Sequence, residues 1–298
     1  MDAPYSGNLR IWSGPDQAEI DEGLPQARTS TLASPFCLSS FTDQLYACES
    51  LNPPPSRPNI MENAEPNTLQ WFMNIENHRY SRHGRWIPKL LEFGKHSGET
   101  LLGLGNGLGT DWLQYAREGA AVVVCSPDAD QLALVRRNFE LRSVPGRFLH
   151  ARATSLPIEN SAIDVVCVSS ILHEMSDPQP VIEEIYRVLK PGGKVLAVAP
   201  AKYDVDYWYF TCFPWLRMFV RKKESPDDPA VLYSRRRLRK LFSRFVEPRI
   251  HKRQLRRADI PHPWRWVPRP LMERMMGKVL ILKAFKPLSA ALSVQMAA

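Results

Sequence analysis

The sequence predicts an α/β fold in which a mostly parallel sheet is covered by helices on both faces. Two observations predict it. Strand-like and helix-like segments alternate from about residue 100 to residue 199, and repeated alternation of this kind is typical of a parallel sheet. Several strand-like segments are apolar throughout, as expected of strands that are buried on both faces.

The elements follow one another in a regular order. Helical anchors from Trp71 to Phe93 come first, with Pro88 either between two helical pieces or in the first turn of the second. The helix after Ser126 begins with Ser-Pro-Asp, in which Ser126 is the expected N-cap. The predicted strands are 100–104, 120–125, 146–151, 162–169, 194–199, 246–252 and 278–283, and the other predicted helices are 110–118, 177–189 and 234–245.

Composition and charge limit the classes of partner. The 298 residues carry a formal net charge of +8, and 44% of them are hydrophobic, which suits one large domain with appendages. Residues 217–274 hold roughly three times as many Lys and Arg as Asp and Glu, which indicates either an acidic partner, such as an anionic membrane surface, or a solvated helix face. No nucleic-acid-binding module and no metal-ligand cluster is recognisable, so we expect neither partner.

Domain boundaries follow from changes in pattern. Residues 1–65 are rich in Pro, Ser and Asn without sustained periodicity, which predicts a largely disordered extension. We expect one domain at 66–287 with insertions at about 203–233 and 255–277, and a tail at 288–298. The cysteines are odd in number without CxxC spacing, and the N-terminus lacks an apolar signal core. We therefore expect a cytoplasmic protein that can lie peripherally on a membrane.

A glycine-rich turn is the strongest signal for a ligand. The segment Leu101–Gly109 reads LLGLGNGLG, a buried strand that runs directly into glycines and then a helix. Such glycines let the backbone approach a nucleotide-like ligand. The dinucleotide fingerprint Gly-x-Gly-x-x-Gly does not fit from either start, because Leu108 or Thr110 stands at its last position. What fits is Gly-x-Gly-x-Gly at 105, 107 and 109.

This spacing and the strand order resemble class I S-adenosylmethionine-dependent methyltransferases, in particular the methyltransferase type 11 group. The strings Leu156–Ile158 (LPI), Ser170–Glu174 (SILHE) and Glu184–Gly193 (EIYRVLKPGG) strengthen the resemblance. It covers about Asn67 to Pro287 and implies a Rossmann-like, mostly parallel seven-stranded sheet with a helical, aromatic cap insertion. It also implies S-adenosyl-L-methionine as the cofactor and methyl transfer as the reaction.

The resemblance further implies which residues meet the cofactor. Gly105 and Gly107 are expected to line it, and Gly109 to permit close helix packing. The whole set of expected cofactor contacts lies at the carboxyl ends of the strands and comprises Gly103, Gly105, Asn106, Gly107, Ser126, Arg152, Ala153 and Ser169.

Three carboxylates that usually serve this cofactor in the family have no counterpart here. Gly103 stands two residues before the first motif glycine, Ser126 (or Val124 in another alignment) ends strand two, and Arg152 precedes Leu-Pro. Arg152 has only donors, as has the adenine amino group, so we expect it to point away and leave adenine to the backbone. Ser126 can bond a ribose hydroxyl with Asp128 nearby, or both residues can be helix caps.

Two hypotheses stay open. Losing one ribose carboxylate would weaken binding on the order of 10–100-fold, since a hydrogen bond to a charged group contributes about 1.5–3 kcal/mol. The retained glycines favour an active methyltransferase with an atypical pocket. The missing acids favour a catalytically inactive relative that binds another ligand or a partner protein. A third hypothesis is a phosphate-bearing ligand, because an arginine without acids nearby suits an anion.

The acceptor side is marked by fewer residues. His173 follows the fourth strand and either acts as a general base or shapes the pocket. Glu174, Arg79 and Tyr80 are comparable candidates, since the resemblance makes the segment 71–95 a lid. The aromatic run 207–220 predicts an apolar, lipid-like small-molecule acceptor, or else forms the core of a small helical cap.

Overall fold

The computed structural model describes residues 64–81, 84–212, 231–255, 260, 264 and 266–288. Nearly all of the predicted extension 1–65, most of the predicted aromatic run 207–220, and all of the predicted tail except Leu288 lie outside these residues. Among the described residues, no helix has the length and hydropathy needed to cross a bilayer.

Strands and helices alternate through the central part of the chain. The strands are β1 (Thr100–Gly105), β2 (Ala121–Ser126), β3 (Arg147–His150), β4 (Ile163–Ser169), β5 (Leu189–Pro200), β6 (Val246–Arg253) and β7 (Val279–Phe285). The described α-helices are α1 (Leu69–Arg79), α2 (Ile87–Leu91), α3 (Thr110–Arg117), α4 (Ala129–Leu141), α5 (Gln179–Val188), α6 (Val205–Cys212), α7 (Arg235–Leu241) and α8 (Arg269–Met276).

The strands form one seven-stranded sheet in the order β3-β2-β1-β4-β5-β7-β6. The strands from β3 to β5 are parallel, whereas β7 runs antiparallel to both β5 and β6. The prediction of a mostly parallel, helix-covered sheet is confirmed. Gly105 pairs with Ser169, and Val279 pairs with both Pro200 and Arg253. The ends of β1, β4, β5 and β6 and the start of β7 therefore share one edge, the carboxyl edge of the sheet.

Each face of the sheet has its own apolar core. Leu102 and Leu104 of β1 lie in one core, together with apolar residues of α5 and α7. Leu101 lies in the other core, together with residues of α2, α3 and α4. This division follows from the alternation of side chains along a strand, and it explains why β1 is apolar at successive positions.

Some element boundaries differ from the sequence-based predictions. Ser126 is not the N-cap of α4, because Asp128 caps this helix by accepting from the backbone N–H of Asp130 and Gln131. The expected insertion at about 255–277, for which no helix was predicted, contains α8. Its proline lies in the first turn, where no backbone N–H is required, and Met272 and Met276 supply a buried face.

Glu92 bridges two adjacent strands of the sheet, β5 and β7. Its carboxylate accepts from Lys194 of β5 at 2.8 Å and from Lys283 of β7 at 2.9 Å. Burial alone would raise the pKa of Glu92, but the hydrogen bonds from both lysines outweigh it and lower this pKa to about 2. The segment between α2 and β1 is thereby fixed against β5 and β7.

Candidate functional site

The three motif glycines have three different structural roles. Gly105 ends β1 with φ of +144°, and a Cβ there would come within 1.6 Å of the Ser169 carbonyl oxygen. Gly107 has nothing within 4 Å of an added Cβ, so its side is open. Gly109 has φ of +71°, and a Cβ there would lie 2.5 Å from Val135 of α4. Gly105 is therefore required by the close approach of β4, and Gly109 by the packing of α4. Gly107 leaves its side of the turn open.

Two buried amides of α4 hold the glycine turn, and the sequence reasoning missed both. Gln131 Nε2 donates to the carbonyl oxygens of Gly105 at 3.1 Å and Gly107 at 2.9 Å. Asn138 Nδ2 donates to the carbonyl oxygen of Leu108 at 2.8 Å. Gln131 and Asn138 are seven residues apart, so they share a helix face that is otherwise apolar. That placement was a signal that could have revealed them.

An ion pair closes one side of the turn. Asp111, in the first turn of α3, is 5% exposed and accepts two hydrogen bonds from the Arg79 guanidinium, of which the bond from Nε is 2.7 Å long. The Tyr80 hydroxyl donates to the same carboxylate at 2.8 Å. Burial favours the neutral form of Arg79, but Asp111 outweighs this and raises the pKa of Arg79 above its ordinary value. Arg79 and Asp111 therefore form a charged pair, which ties α1 to α3.

A narrow cleft lies between this ion pair and the open face of Gly107. Residues from α1, the glycine turn, α3 and the end of β4 line the cleft, among them Arg79, Asn106, Gly107, Asp111 and Ser169. The structure therefore brings three of the sequence-predicted contact residues, Asn106, Gly107 and Ser169, together with Arg79. Asp111 was not predicted, although an acid in the first turn after a glycine turn is a recognisable signal.

Gly103 is covered by a tryptophan of the following helix. A Cβ at position 103 would come within 2.7 Å of the Trp112 ring, and Trp112 is almost fully buried. The space that an acidic side chain would need at position 103 is therefore filled by the indole. The predicted cofactor contact of Gly103 stays a prediction.

Ser126 is engaged in a local hydrogen-bond network. Its hydroxyl accepts from the backbone N–H of Asp128 at 3.1 Å and donates to Gln131 Oε1, and the residue is fully buried. Arg152 is exposed, and Ala153 is packed in the apolar core. The contacts predicted for Ser126, Arg152 and Ala153 stay predictions.

His173 lies just beyond the carboxyl end of β4. Its Nε2 is 3.8 Å from Glu174 Oε1, and Glu174 accepts a hydrogen bond from Asn106 of the glycine turn. The His173 carbonyl accepts from the Val231 N–H at 2.8 Å, so the segment before α7 lies against this position. Burial lowers the pKa of His173 below its ordinary value of 6.5. The imidazole is therefore neutral at pH 7 and able to accept a proton.

Comparison with known proteins assigns the segment from β1 to β5. A family model described as a methyltransferase domain matches residues 101–197, about a third of the chain. Over residues 101–197 the chain is therefore similar to class I methyltransferase domains. This similarity implies S-adenosyl-L-methionine as the cofactor.

Curated relatives match over the same part of the chain. A demethylmenaquinone methyltransferase of Clavibacter sepedonicus is 35% identical over 100 residues, which are 34% of this chain and 40% of the relative. A demethylmenaquinone methyltransferase of Thermus thermophilus is 31% identical over 117 residues, 38% of this chain and 53% of the relative. The chain thus spans about two fifths to half the length of these two relatives.

Solved structures are similar at lower identity. A putative methyltransferase from Bacillus halodurans has a TM-score of 0.49 and 18% identity, covering 68% of this chain and all of that one. The [4+2]-cyclase SpnF has a TM-score of 0.49 and 22% identity, covering 69% of this chain and 81% of that chain.

Proposed function

We propose that this protein transfers a methyl group from S-adenosyl-L-methionine to a lipid-like small molecule of the quinone class. The cleft between Gly107 and the Arg79–Asp111 pair carries the proposal, because it joins an open backbone face to a buried charge pair. Such a combination suits a ligand that has both an apolar body and a charged end.

The residues of the cleft fit the amino-acid part of this cofactor. That part carries an ammonium and a carboxylate, and the cleft offers the Asp111 carboxylate and the Arg79 guanidinium. Gly107 leaves room for the backbone to be approached closely. Asp111 also lies in the first turn of α3, whose N-terminus faces the same cleft.

We assign to Asp111 the role of the acid that is missing at position 103. The Trp112 ring prevents an acidic side chain at Gly103, whereas Asp111 is one residue before Trp112 and lines the cleft. The ribose has no acidic partner at the end of β2, because Ser126 stands there and its hydroxyl is already bonded to the Asp128 N–H and to Gln131. Backbone and hydroxyl groups would have to hold the ribose.

When bound, the cofactor supplies an electrophilic methyl group. The chain contributes alignment, since Gln131 fixes two carbonyls of the glycine turn in place. It also contributes a proton acceptor, because burial keeps the His173 imidazole neutral at the carboxyl edge. Glu174, 3.8 Å away, would stabilise the imidazolium that forms after proton transfer.

The acceptor class is inferred from the names of the relatives and from the cap. Two relatives are demethylmenaquinone methyltransferases, and a ubiquinone/menaquinone biosynthesis C-methyltransferase of Escherichia coli is 29% identical over 114 residues. Tyr207 and Trp208 of α6 follow β5 at the carboxyl edge, where they would meet an apolar acceptor. An anionic membrane surface as a further partner belongs to this proposal.

The test is methyl transfer from labelled S-adenosyl-L-methionine to reduced demethylmenaquinone with a short side chain. We expect labelled product, and loss on the order of 100-fold in kcat for His173→Asn, since a general base contributes about 10²–10⁴-fold. His150→Asn, which replaces an exposed histidine at the end of β3, is the matched control with unchanged rate. In wild type, kcat/KM should fall as the pH is lowered through the pKa of His173, which burial places below its ordinary value.

A catalytically inactive relative is the second candidate function. The observation that favours it is the buried Ser126 at the position where the family places a ribose acid. Calorimetric titration separates the two candidates. Absence of heat with S-adenosyl-L-methionine supports the inactive relative, which would bind another ligand or a partner protein, whereas labelled product excludes it.

A further inference from the structure

Helix α8 exposes an apolar stripe that the core does not use. Met272 and Met276 are buried and attach the helix to the domain. Leu271 and Met275, four residues apart on the outer side, are 51% and 42% exposed. Isolated exposed apolar side chains are common on protein surfaces. A continuous stripe of large ones more often marks an interaction surface.

Two tyrosines extend this stripe from the neighbouring segment. Tyr203 and Tyr207 are both exposed and contact each other edge-to-face with 4.9 Å between ring centroids. The Lys252 ammonium donates to the carbonyl oxygens of Tyr203 and Met275, so these two backbones lie side by side. The exposed tyrosines at 203 and 207 and the exposed apolar residues of α8 therefore belong to adjacent segments.

Arginines that have no carboxylate partner within the described part of the chain border the same residues. Arg235 donates to the Arg274 carbonyl at 3.1 Å, and Arg239 follows one helical turn after Arg235. Glu273, the acid within α8, is already bonded to Arg269 at 3.0 Å and to Arg253. Among the described residues, no carboxylate forms an ion pair with Arg239 or Arg274.

The positive charges of this region repel one another. Burial, Arg274 and Arg239 all lower the pKa of Arg235. Burial and Arg235 lower the pKa of Lys252 to about 8, against a small opposing effect of Asp204. An anionic partner would relieve this repulsion, and the apolar side chains between the charges would gain a non-aqueous environment.

The position of the region links it to the proposed acceptor site. Helix α8 leads directly into β7, whose first residue, Val279, pairs with Pro200 at the carboxyl edge. The segment before α7 donates from Val231 to the His173 carbonyl at that same edge. A partner bound to this face would therefore lie next to the place where an acceptor must enter.

We propose that Tyr203, Tyr207, Leu271, Met275, Arg239 and Arg274 form a docking face for an anionic lipid bilayer. Aromatic and aliphatic side chains interleaved with arginines suit an interface in which apolar groups enter the acyl boundary and cations meet headgroups. The acceptor entry would then face the bilayer. This orientation rests on the proposed function, since it is useful only for a lipid-like acceptor. Binding of the face to a bilayer does not depend on the proposed function.

The test is co-sedimentation of the full chain with phosphatidylcholine vesicles, with and without phosphatidylglycerol. We expect binding only to the anionic vesicles, and its loss at high salt. Arg239→Gln/Arg274→Gln should weaken binding on the order of ten- to thirty-fold, since each Lys or Arg near an anionic surface contributes about 1 kcal/mol. Leu271→Ser/Met275→Ser should weaken it by a comparable factor at low salt.

Matched variants control for net charge and apolar content. Lys89→Gln/Arg137→Gln removes two exposed charges elsewhere, and Leu288→Ser removes an exposed apolar residue near Gly192, away from the carboxyl edge. Both should bind like wild type. Absence of anionic-vesicle binding by wild type at low salt, or equal losses in the docking-face and control variants, would overturn the proposal. Oligonucleotide binding without vesicle binding would also overturn it. Cofactor calorimetry is unaffected by these outcomes, so the two proposals fail separately.

Discussion

Two regions of the molecule, called here the cofactor half and the cap half, differ in whether their charged groups are paired. In the cofactor half, from α1 to the end of β3, the charges of Arg79 and Asp111 are paired and mostly buried, and Gln131 holds the glycine turn. In the cap half, from α6 to α8, Arg239 and Arg274 have no described carboxylate partner and lie among exposed apolar side chains. The first half is built to hold a small ligand in one position, and the second to meet an extended surface.

The largest expected effect comes from Gly105→Ala, which tests how tightly the cofactor half is packed. Its Cβ would approach the Ser169 carbonyl within 1.6 Å at a φ of +144°. We expect a loss of about 4 kcal/mol or more in the free energy of unfolding, because strand and backbone would both have to move. Urea denaturation monitored by circular dichroism measures it.

Gly107→Ala is the matched control for this prediction. Nothing lies within 4 Å of a Cβ at position 107, so its free energy of unfolding should change by less than about 1 kcal/mol. Its methyl group would enter the open face, and cofactor affinity should fall. Equal destabilisation by both alanines would show that the two glycines do not differ in role.

Gly103→Asp restores the acid that the family usually has, and we expect it to harm the protein. The new side chain would collide with the Trp112 ring, whose atoms lie 2.7 Å from the Cβ position. Overpacking and a buried charge should together cost about 3 kcal/mol in stability. A Gly103→Asp variant with wild-type stability and tighter cofactor binding would contradict the assignment of Asp111 as the replacing acid.

A smaller effect is expected at Glu92, whose carboxylate is bonded to Lys194 of β5 and Lys283 of β7. Glu92→Gln should lower the free energy of unfolding by about 2 kcal/mol at pH 7, after allowance for partial solvent screening. Because the pKa of Glu92 is lowered to about 2 from 4.5, its contribution is present above pH 4.5 and is lost as the pH falls towards 2. Stability curves of both proteins should therefore converge in acid, and a constant gap between them would exclude this linkage.

Much of the fold was predictable from local sequence. The apolar runs of β2 and β4 and the glycines after β1 indicated parallel strands that are buried on both faces. Helix α8 was not predicted, because its prolines suggest irregular structure unless one knows that they fall at its first turn. The capping role of Asp128 also depended on local geometry, in which Ser126 accepts from the Asp128 N–H instead of starting the helix.

The candidate site was only partly predictable. Its glycine turn follows from spacing within one short segment, so sequence was sufficient there. The Arg79–Asp111 pair joins residues that are distant in the chain, and no local pattern indicates such a contact. The reason for glycine at position 103 lies in the Trp112 ring, which packs across β1 from the following helix.

The central claim is that the Arg79–Asp111 pair holds the amino-acid part of S-adenosyl-L-methionine in place of the acid that is missing at position 103. Calorimetric titration of wild type with S-adenosylhomocysteine and with 5′-methylthioadenosine, which lacks the amino-acid part, tests it without any substitution. The account predicts binding of S-adenosylhomocysteine and affinity on the order of 10–100-fold weaker for 5′-methylthioadenosine. Equal affinities for the two ligands, or no heat with S-adenosylhomocysteine, would contradict it.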